Sequence, residues 1–308
     1  MNIKIVLATV QRFCYLETQI AEKGSEMQIC GRKFSPSEID WIRHQVISRP
    51  ELTRIELSRE FCRHIHWYKP DGGLKEMSCR VAMLRLERKG LIQLPAPRTK
   101  PNPVKTINRT QMGEPGSDIH FQAGALSLIL EPVNQKSTSF WNELIDRYHY
   151  LGYRRAGGAQ MRFFVRCGEK LLALLGFSAA AWRVAPRDNF IGWSDSARKA
   201  HLHYVVDNSR FLILPWVHSK NLASRILSTA ARQLPDLWHE RYHYRPLLLE
   251  TFVETPQFGG TCYKAANWTP VGETLGRGKW DREHAKDKPV KRIFLYPLDK
   301  RFKEKLCR

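Results

Sequence analysis

Leu52-Thr53-Arg54-Ile55-Glu56-Leu57-Ser58-Arg59-Glu60-Phe61-Cys62 and Ser78-Cys79-Arg80-Val81-Ala82-Met83-Leu84-Arg85-Leu86-Glu87-Arg88-Lys89-Gly90-Leu91-Ile92 have the patterning of two helices. In the second, Val81, Leu84 and Leu86 mark an apolar stripe near helical spacing, while Arg80, Arg85, Arg88 and Lys89 fall outside it. Gly90 suits a left-handed C-cap, and Leu91-Ile92-Gln93-Leu94-Pro95 then alternates as a short strand does. The connection Trp67-Tyr68-Lys69-Pro70-Asp71-Gly72-Gly73 is rich in turn formers. Helix, turn, helix and strand in this order predict a winged helix-turn-helix. Its phosphate and major-groove contacts to duplex DNA would come from Lys75, Ser78, Arg80, Arg85, Arg88 and Lys89. The rival reading is a small helical domain whose basic residues keep it soluble.

Charge placement favours a polyanion. The 308 residues carry a formal net charge of +20, and it is unevenly spread. Glu51 to Arg109 holds 13 Lys+Arg against 6 Asp+Glu, and Arg277 to Arg308 holds 12 against 5. Such clusters suit a partner whose phosphates release counterions on neutralisation. No basic amphipathic helix with a bulky apolar face stands out, so a membrane partner is not expected. With 43% hydrophobic residues the chain can bury a substantial core, and its length favours two domains. No apolar run reaches the roughly 18 residues of a membrane span. Met1 to Val10 has a brief apolar run without the flanks of a secretory signal, which predicts a cytoplasmic protein. The seven cysteines are scattered with no Cys-x-x-Cys pair, which predicts reduced thiols, mostly buried, and no structural zinc.

Prolines and glycines punctuate the stretch from Pro95 to about Ser117, which reads as a linker. Beyond it, a helix containing Phe140 to Ile145 precedes a hairpin of Ala159–Val165 and Lys170–Phe177 around Cys167-Gly168-Glu169. Next come a strand at Arg210–Leu214 and a helix from Asn221 to about Trp238 with Leu222, Ile226, Leu227, Ala230 and Leu234 on one face. A strand at Leu247–Val253, a short helix through Tyr263–Asn267 and a strand from Trp268 follow. This order resembles the GCN5-related acetyltransferase (GNAT) fold. The expected fold class is α+β: an N-terminal winged helix-turn-helix domain over 1–97, a linker over 98–116, and a GNAT-like mixed-sheet domain over 117–308.

A second resemblance runs from about Leu52 to Leu298. Tyr148-His149-Tyr150-Leu151-Gly152, Arg187 to Ser194, Asn208 to Val217, Leu222-Ala223-Ser224, Leu249 to Val253, Gly260 to Trp268 and Gly276-Arg277-Gly278-Lys279 together resemble the DruA family of the Druantia anti-phage system. Related domains occur fused to or beside transposases. The resemblance implies a bacterial defence or mobile-element role with other defence-system proteins as partners, and it implies no defined reaction.

Two kinds of chemistry compete with simple binding. In acetyltransferases a glycine-rich turn opening the long helix binds the cofactor pyrophosphate through backbone N–H groups. The matching place is His218-Ser219-Lys220-Asn221-Leu222-Ala223, where Asn221 replaces the first glycine, and Tyr263 stands where such enzymes keep a general acid. A nuclease needs convergent carboxylates for a divalent metal, with Asp188, Asp195, Asp207, Glu250 and Glu254 as candidates. Glu250 weighs most because it interrupts an apolar strand, and a buried carboxylate must be paired or functional. A salt bridge to Arg210 on the neighbouring strand is its structural explanation. Glu250, Arg210 and Tyr263 are therefore the candidate catalytic residues, with no cofactor assured beyond a divalent metal if the chain is a nuclease. Glycines beside Arg277 and Lys279 let the backbone approach phosphates, and Trp280 suits stacking on an unpaired base of single-stranded DNA.

Overall fold

The computed structural model describes residues 27–98, 106–121, 127–255, 257–276 and 288–308. The chain divides into two compact units, Met1–Val104 and Lys105–Arg308.

In the first unit an antiparallel hairpin, β1 (Met27–Ile29) and β2 (Arg32–Phe34), precedes α1 (Pro36–Ser48), α2 (Arg54–His64) and α3 (Glu76–Arg88). Capping boxes start the first two helices: Ser35 with Glu38, and Thr53 with Glu56, each satisfying backbone donors that the first turn leaves free. Phe34, Ile42, Leu57, Phe61, Cys79, Ala82, Met83 and Leu86 form the core. The α2–α3 connection is a tight loop in which the Lys69 N–H donates to the Gly73 carbonyl at 2.7 Å and the Gly73 N–H to Asp71 Oδ1 at 2.9 Å.

Two expectations for this unit are corrected. The buried stripe of α3 is Cys79, Ala82, Met83 and Leu86, while Val81 is 39% exposed. The small Cys79 and Ala82 fit the core shared with Leu57 and Phe61 of α2, so the helix is turned away from the face its larger residues suggested. Leu91 to Pro95, expected to be the first strand of a wing, forms no ladder. Ile92 and Leu94 are buried, so the alternation is real, but side chains hold the backbone. Arg43 Nε donates to the Leu91 carbonyl at 2.8 Å, the Leu94 N–H to Glu87 Oε1 at 2.9 Å, and Arg54 Nε to the Pro95 carbonyl at 2.5 Å.

The second unit is a mixed α+β structure around a seven-stranded sheet. Its strands are β4 (Ile129–Pro132), β5 (Gln160–Cys167), β6 (Lys170–Ala179), β7 (Val205–Ile213), β9 (Leu248–Glu254), β10 (Thr269–Glu273) and β11 (Lys291–Pro297), in the order β10-β11-β9-β7-β6-β5-β4. A separate short parallel pair joins β3 (Ile119–Phe121) to β8 (Val217–Ser219). The helices are α4 (Thr138–Tyr148), α5 (Ala185–Ile191), α6 (Asp195–His201), α7 (Leu222–Tyr242), α8 (Thr261–Ala265) and α9 (Phe302–Cys307).

Pairing in the large sheet is antiparallel except between β7 and β9. Those two run parallel through Val205–Leu248, Val206–Leu249 and Asp207–Glu250, then part. Alternation sends successive residues of a strand to different cores. Leu249 joins Phe163, Leu174, Ile226 and Trp238, whereas Leu248 joins Val205, Ile191, Ile293 and Phe302. The apolar face read for the long helix is the one α7 buries, though the helix continues past Trp238 to Tyr242 with Pro235 inside.

The second unit begins earlier than the expected linker allows. The Thr110 N–H and hydroxyl both donate to the Glu143 carboxylate, Arg147 pairs with Glu114 at 2.6 Å, and the Tyr148 hydroxyl donates to the Gly113 carbonyl at 2.7 Å. The six described cysteines are free thiols, but only Cys62 and Cys79 are buried, against the expectation that most would be. Among the described residues no helix is long and apolar enough to cross a membrane.

Candidate functional site

The outward face of α3 is the first candidate. Met77, Val81, Arg85 and Arg88 follow one another at helical spacing along it, with Met77 61% exposed and Arg85, Arg88 and Lys89 also exposed. Lys75 and Ser78 at the helix start are half-buried, as is Arg80, whose guanidinium bonds the Met77 sulfur. The two acids of α3 face back to α2: Glu76 pairs with Arg59 at 2.6 Å, and Glu87 lies 3.7 Å from Arg54. The hydrogen bond from Arg59 holds the Glu76 carboxyl below its ordinary range. Arg85, Arg88 and Lys89 have no ion-pair partner among the described residues. Their place in the last turn also suits the helix dipole. Arg277, Lys279 and Trp280 lie outside the described residues.

The second candidate is a polar centre in the middle of the seven-stranded sheet. Ser178, Asp207 and Glu250 stand side by side across β6, β7 and β9. Glu250 is fully buried; its Oε2 accepts from Arg187 Nη1 at 2.8 Å and its Oε1 from the Ala181 N–H at 3.0 Å. Arg187 also donates to the Ala181 carbonyl at 2.8 Å and to Asp188 Oδ1 at 2.9 Å. The counter-ion of Glu250 is therefore Arg187 of α5, not Arg210. Strand register explains the difference: Asp207 sits opposite Glu250, and Arg210 lies beyond the point where β7 and β9 part, level with Gly176 of β6.

Asp207 receives a 3.5 Å hydrogen bond from the Ser178 hydroxyl, and its shielded Oδ1 has no partner among the described residues. Burial, then the neighbouring Glu250 charge, pushes its carboxyl well above the ordinary range. His149 takes part at the edge of the same region. Burial and then the Arg210 charge push its imidazole down to about 4, and its Nδ1 accepts the Leu151 N–H at 3.2 Å.

On the opposite face Tyr263 donates its hydroxyl to Asn208 Oδ1 at 2.9 Å, while Thr251 Oγ1 donates to the Asn208 carbonyl at 3.0 Å. Parting strands leave backbone groups without a ladder; Thr251 supplies a partner to the Asn208 carbonyl, and Tyr263 fixes the Asn208 side chain. Burial raises the Tyr263 phenol. Glu250, Arg210 and Tyr263 thus gather around Asp207–Arg210 of β7, yet no hydrogen bond or ion pair joins any two of them among the described residues. Of the other carboxylates, Asp188 serves Arg187 and Trp193, and Asp195 pairs with Arg183 and Arg198. Among the described residues no three His, Cys, Asp or Glu side chains are placed to hold a metal ion. Asn221 at the start of α7 is left-handed, with φ of 60°, which is the conformation a glycine would take there.

Reading the sequence missed Arg187 and Asn208 as members of the centre. The polar run Asp207-Asn208-Ser209 beside an apolar strand was the available signal, because polar residues in a central strand need dedicated partners.

Sheet order, register and buried polar centre define an α+β protein with a basic helical unit ahead of a mixed-sheet unit. The family described as Druantia protein DruA matches residues 85–305, more than two thirds of the chain, and the chain belongs to that family. No curated protein sequence matches it. Among solved structures it is similar to a spermidine N-acetyltransferase SpeG chimera from Vibrio cholerae and hSSAT, at 13% identity and a TM-score of 0.38, covering 56% of this chain and 95% of that one. The ribosomal-protein-S18-alanine N-acetyltransferase from Escherichia coli gives 9% and 0.35, covering 56% and 95%. A polyamine N-acetyltransferase of Drosophila melanogaster gives 9% and 0.37, covering 56% and 100%. These likenesses are weak, and the chain's own topology carries the fold.

Proposed function

We propose that this chain is a DNA-binding component of a Druantia-type anti-phage defence system, with the outward face of α3 on duplex DNA. The observation that carries this reading is the division of charge on α3. Its acids are turned inward to α2, which leaves an outer row of Met77, Val81, Arg85 and Arg88 for the groove and its phosphates. α2 and α3 serve as the helix pair, and the pinned segment Leu91–Pro95 stands where a wing would begin. The region of Arg277, Lys279 and Trp280 supplies a second surface, for single-stranded DNA or for other defence proteins, in a cytoplasmic protein. An acyltransferase-like sheet is supported by the order β7, α7, β9, α8, β10, which is the order of elements that the resemblance rests on. The catalytic alternative centred on Glu250, Arg210 and Tyr263 has less behind it, because Glu250 and Tyr263 are both engaged within the fold.

The test is fluorescence anisotropy of labelled duplex DNA with the full chain across a salt series, beside the Arg85→Ala/Arg88→Ala variant. Weaker binding and a shallower salt dependence in the variant support the reading. Identical curves overturn it.

A further inference from the structure

A cavity of about 160 Å³ opens on the sheet of the second unit, lined among others by Trp141, Tyr153, Arg154, Arg155, Arg162 and Arg210. Four arginines line a space that small, and the two inner ones have no charged hydrogen-bond partner among the described residues. Arg162 donates to Asn142 Oδ1 at 2.8 Å and Thr138 Oγ1 at 3.2 Å, both neutral, and lies 5.3 Å from the Trp141 ring. Arg210 donates to the Ser209 carbonyl at 2.6 Å, while its Nε, shielded from solvent, has no acceptor among the described residues. Asp207 is the carboxyl whose charge acts on Arg210, yet its hydrogen bond comes from Ser178 and none joins it to Arg210 among the described residues. Arg154 and Arg155 are exposed at the mouth.

Like charges brought together in a partly desolvated pocket repel, and a folded protein keeps such a set where an anion relieves it. The planar, weakly hydrated guanidinium suits oxyanions held by paired hydrogen bonds. A single carboxylate carries too little charge for four arginines, whereas a doubly charged phosphate monoester matches them better. The volume admits one phosphate and part of its ester, with Trp141 and Tyr153 as the apolar wall.

We propose that this pocket binds a phosphate monoester, supplied either by a 5′-phosphorylated nucleic-acid end or by a free nucleoside monophosphate, with Arg162 and Arg210 as its inner ligands and Arg154 and Arg155 as its gate. The proposal is independent of α3, which lies in the other unit.

Thermal unfolding of the full chain with adenosine 5′-monophosphate, against adenosine and sodium chloride at equal ionic strength, is the first measurement. A rise in Tm with the monophosphate alone is expected, and its absence overturns the proposal. Arg154→Ala/Arg155→Ala, both on exposed sites, should weaken the affinity about tenfold or more, and Arg210→Gln should abolish it. Unchanged affinity in the exposed pair overturns the proposal even where Arg210→Gln does not fold. In the Arg85→Ala/Arg88→Ala background, 5′-phosphorylated and 5′-hydroxyl oligonucleotides are then compared. A preference of about tenfold for the phosphorylated end assigns a nucleic-acid source, and equal oligonucleotide binding beside tight monophosphate binding assigns the free nucleotide.

Discussion

Arg187 Nη1 and Glu250 Oε2 lie 2.8 Å apart, and neither side chain has any solvent exposure. An ion pair this deep is held by geometry, because removing either partner strands the other charge in the core. Arg187→Met and Glu250→Leu should each cost about 3–5 kcal/mol, and the double variant less than their sum. Urea unfolding measures all three. Single variants within about 1 kcal/mol of the parent would contradict the pairing as drawn.

For α3, Arg85→Ala/Arg88→Ala should lower the slope of log affinity against log salt by between about one and two, at constant fold. Met77→Ala, on the same row, should lower affinity without changing that slope. A slope change with Met77→Ala would mean that the helix itself had been disturbed.

His149 makes stability depend on pH. Its folded imidazole is pushed down to about 4 from 6.5, first by burial and then by Arg210. Between those values the unfolded chain takes up a proton that the folded chain refuses, so stability falls as the pH falls through that window. Protonation would also remove the acceptor used by the Leu151 N–H. The effect should be about 1–2 kcal/mol after discounting for partial exposure. Chemical denaturation at pH 7.5 and 5 should show it in the parent and lose most of it in His149→Gln.

Tyr263→Phe keeps the ring that stacks on Phe294 at 5.7 Å but removes the donor to Asn208. The expected cost is about 1 kcal/mol, with a coupling of similar size to Asn208→Ala in a double-mutant cycle. Zero coupling would show that the phenol and the amide act separately.

The antiparallel hairpin β5–β6 was legible from two apolar runs on either side of Cys167-Gly168-Glu169, and the buried face of α7 from its helical period. β7 was legible only from Arg210 onward. Its first half, Val205 to Ser209, runs two core valines into Asp207, Asn208 and Ser209, and the partners that make those polar residues tolerable come from β6, β9 and α8. Arg187 was hidden for the same reason, since nothing local marks which of many arginines will turn into the core. The α3 face was half legible: its basic residues were placed outside the core, but Val81 was assigned to it. Side chains 48, 7 and 41 residues away hold Leu91, Leu94 and Pro95, and alternation alone does not distinguish that arrangement from a strand.

Three residue pairs join β7 to β9, and every other ladder pair of the large sheet lies on one side or the other of that junction. The sheet is thereby two antiparallel packets, β10-β11-β9 and β7-β6-β5-β4, stitched along a short seam and latched by the Tyr263, Asn208 and Thr251 side chains. Local opening of the unit follows its thinnest stitching, so the amides of Asp207 and Glu250 report on the seam while those of Phe164 and Leu174 report on the intact packet.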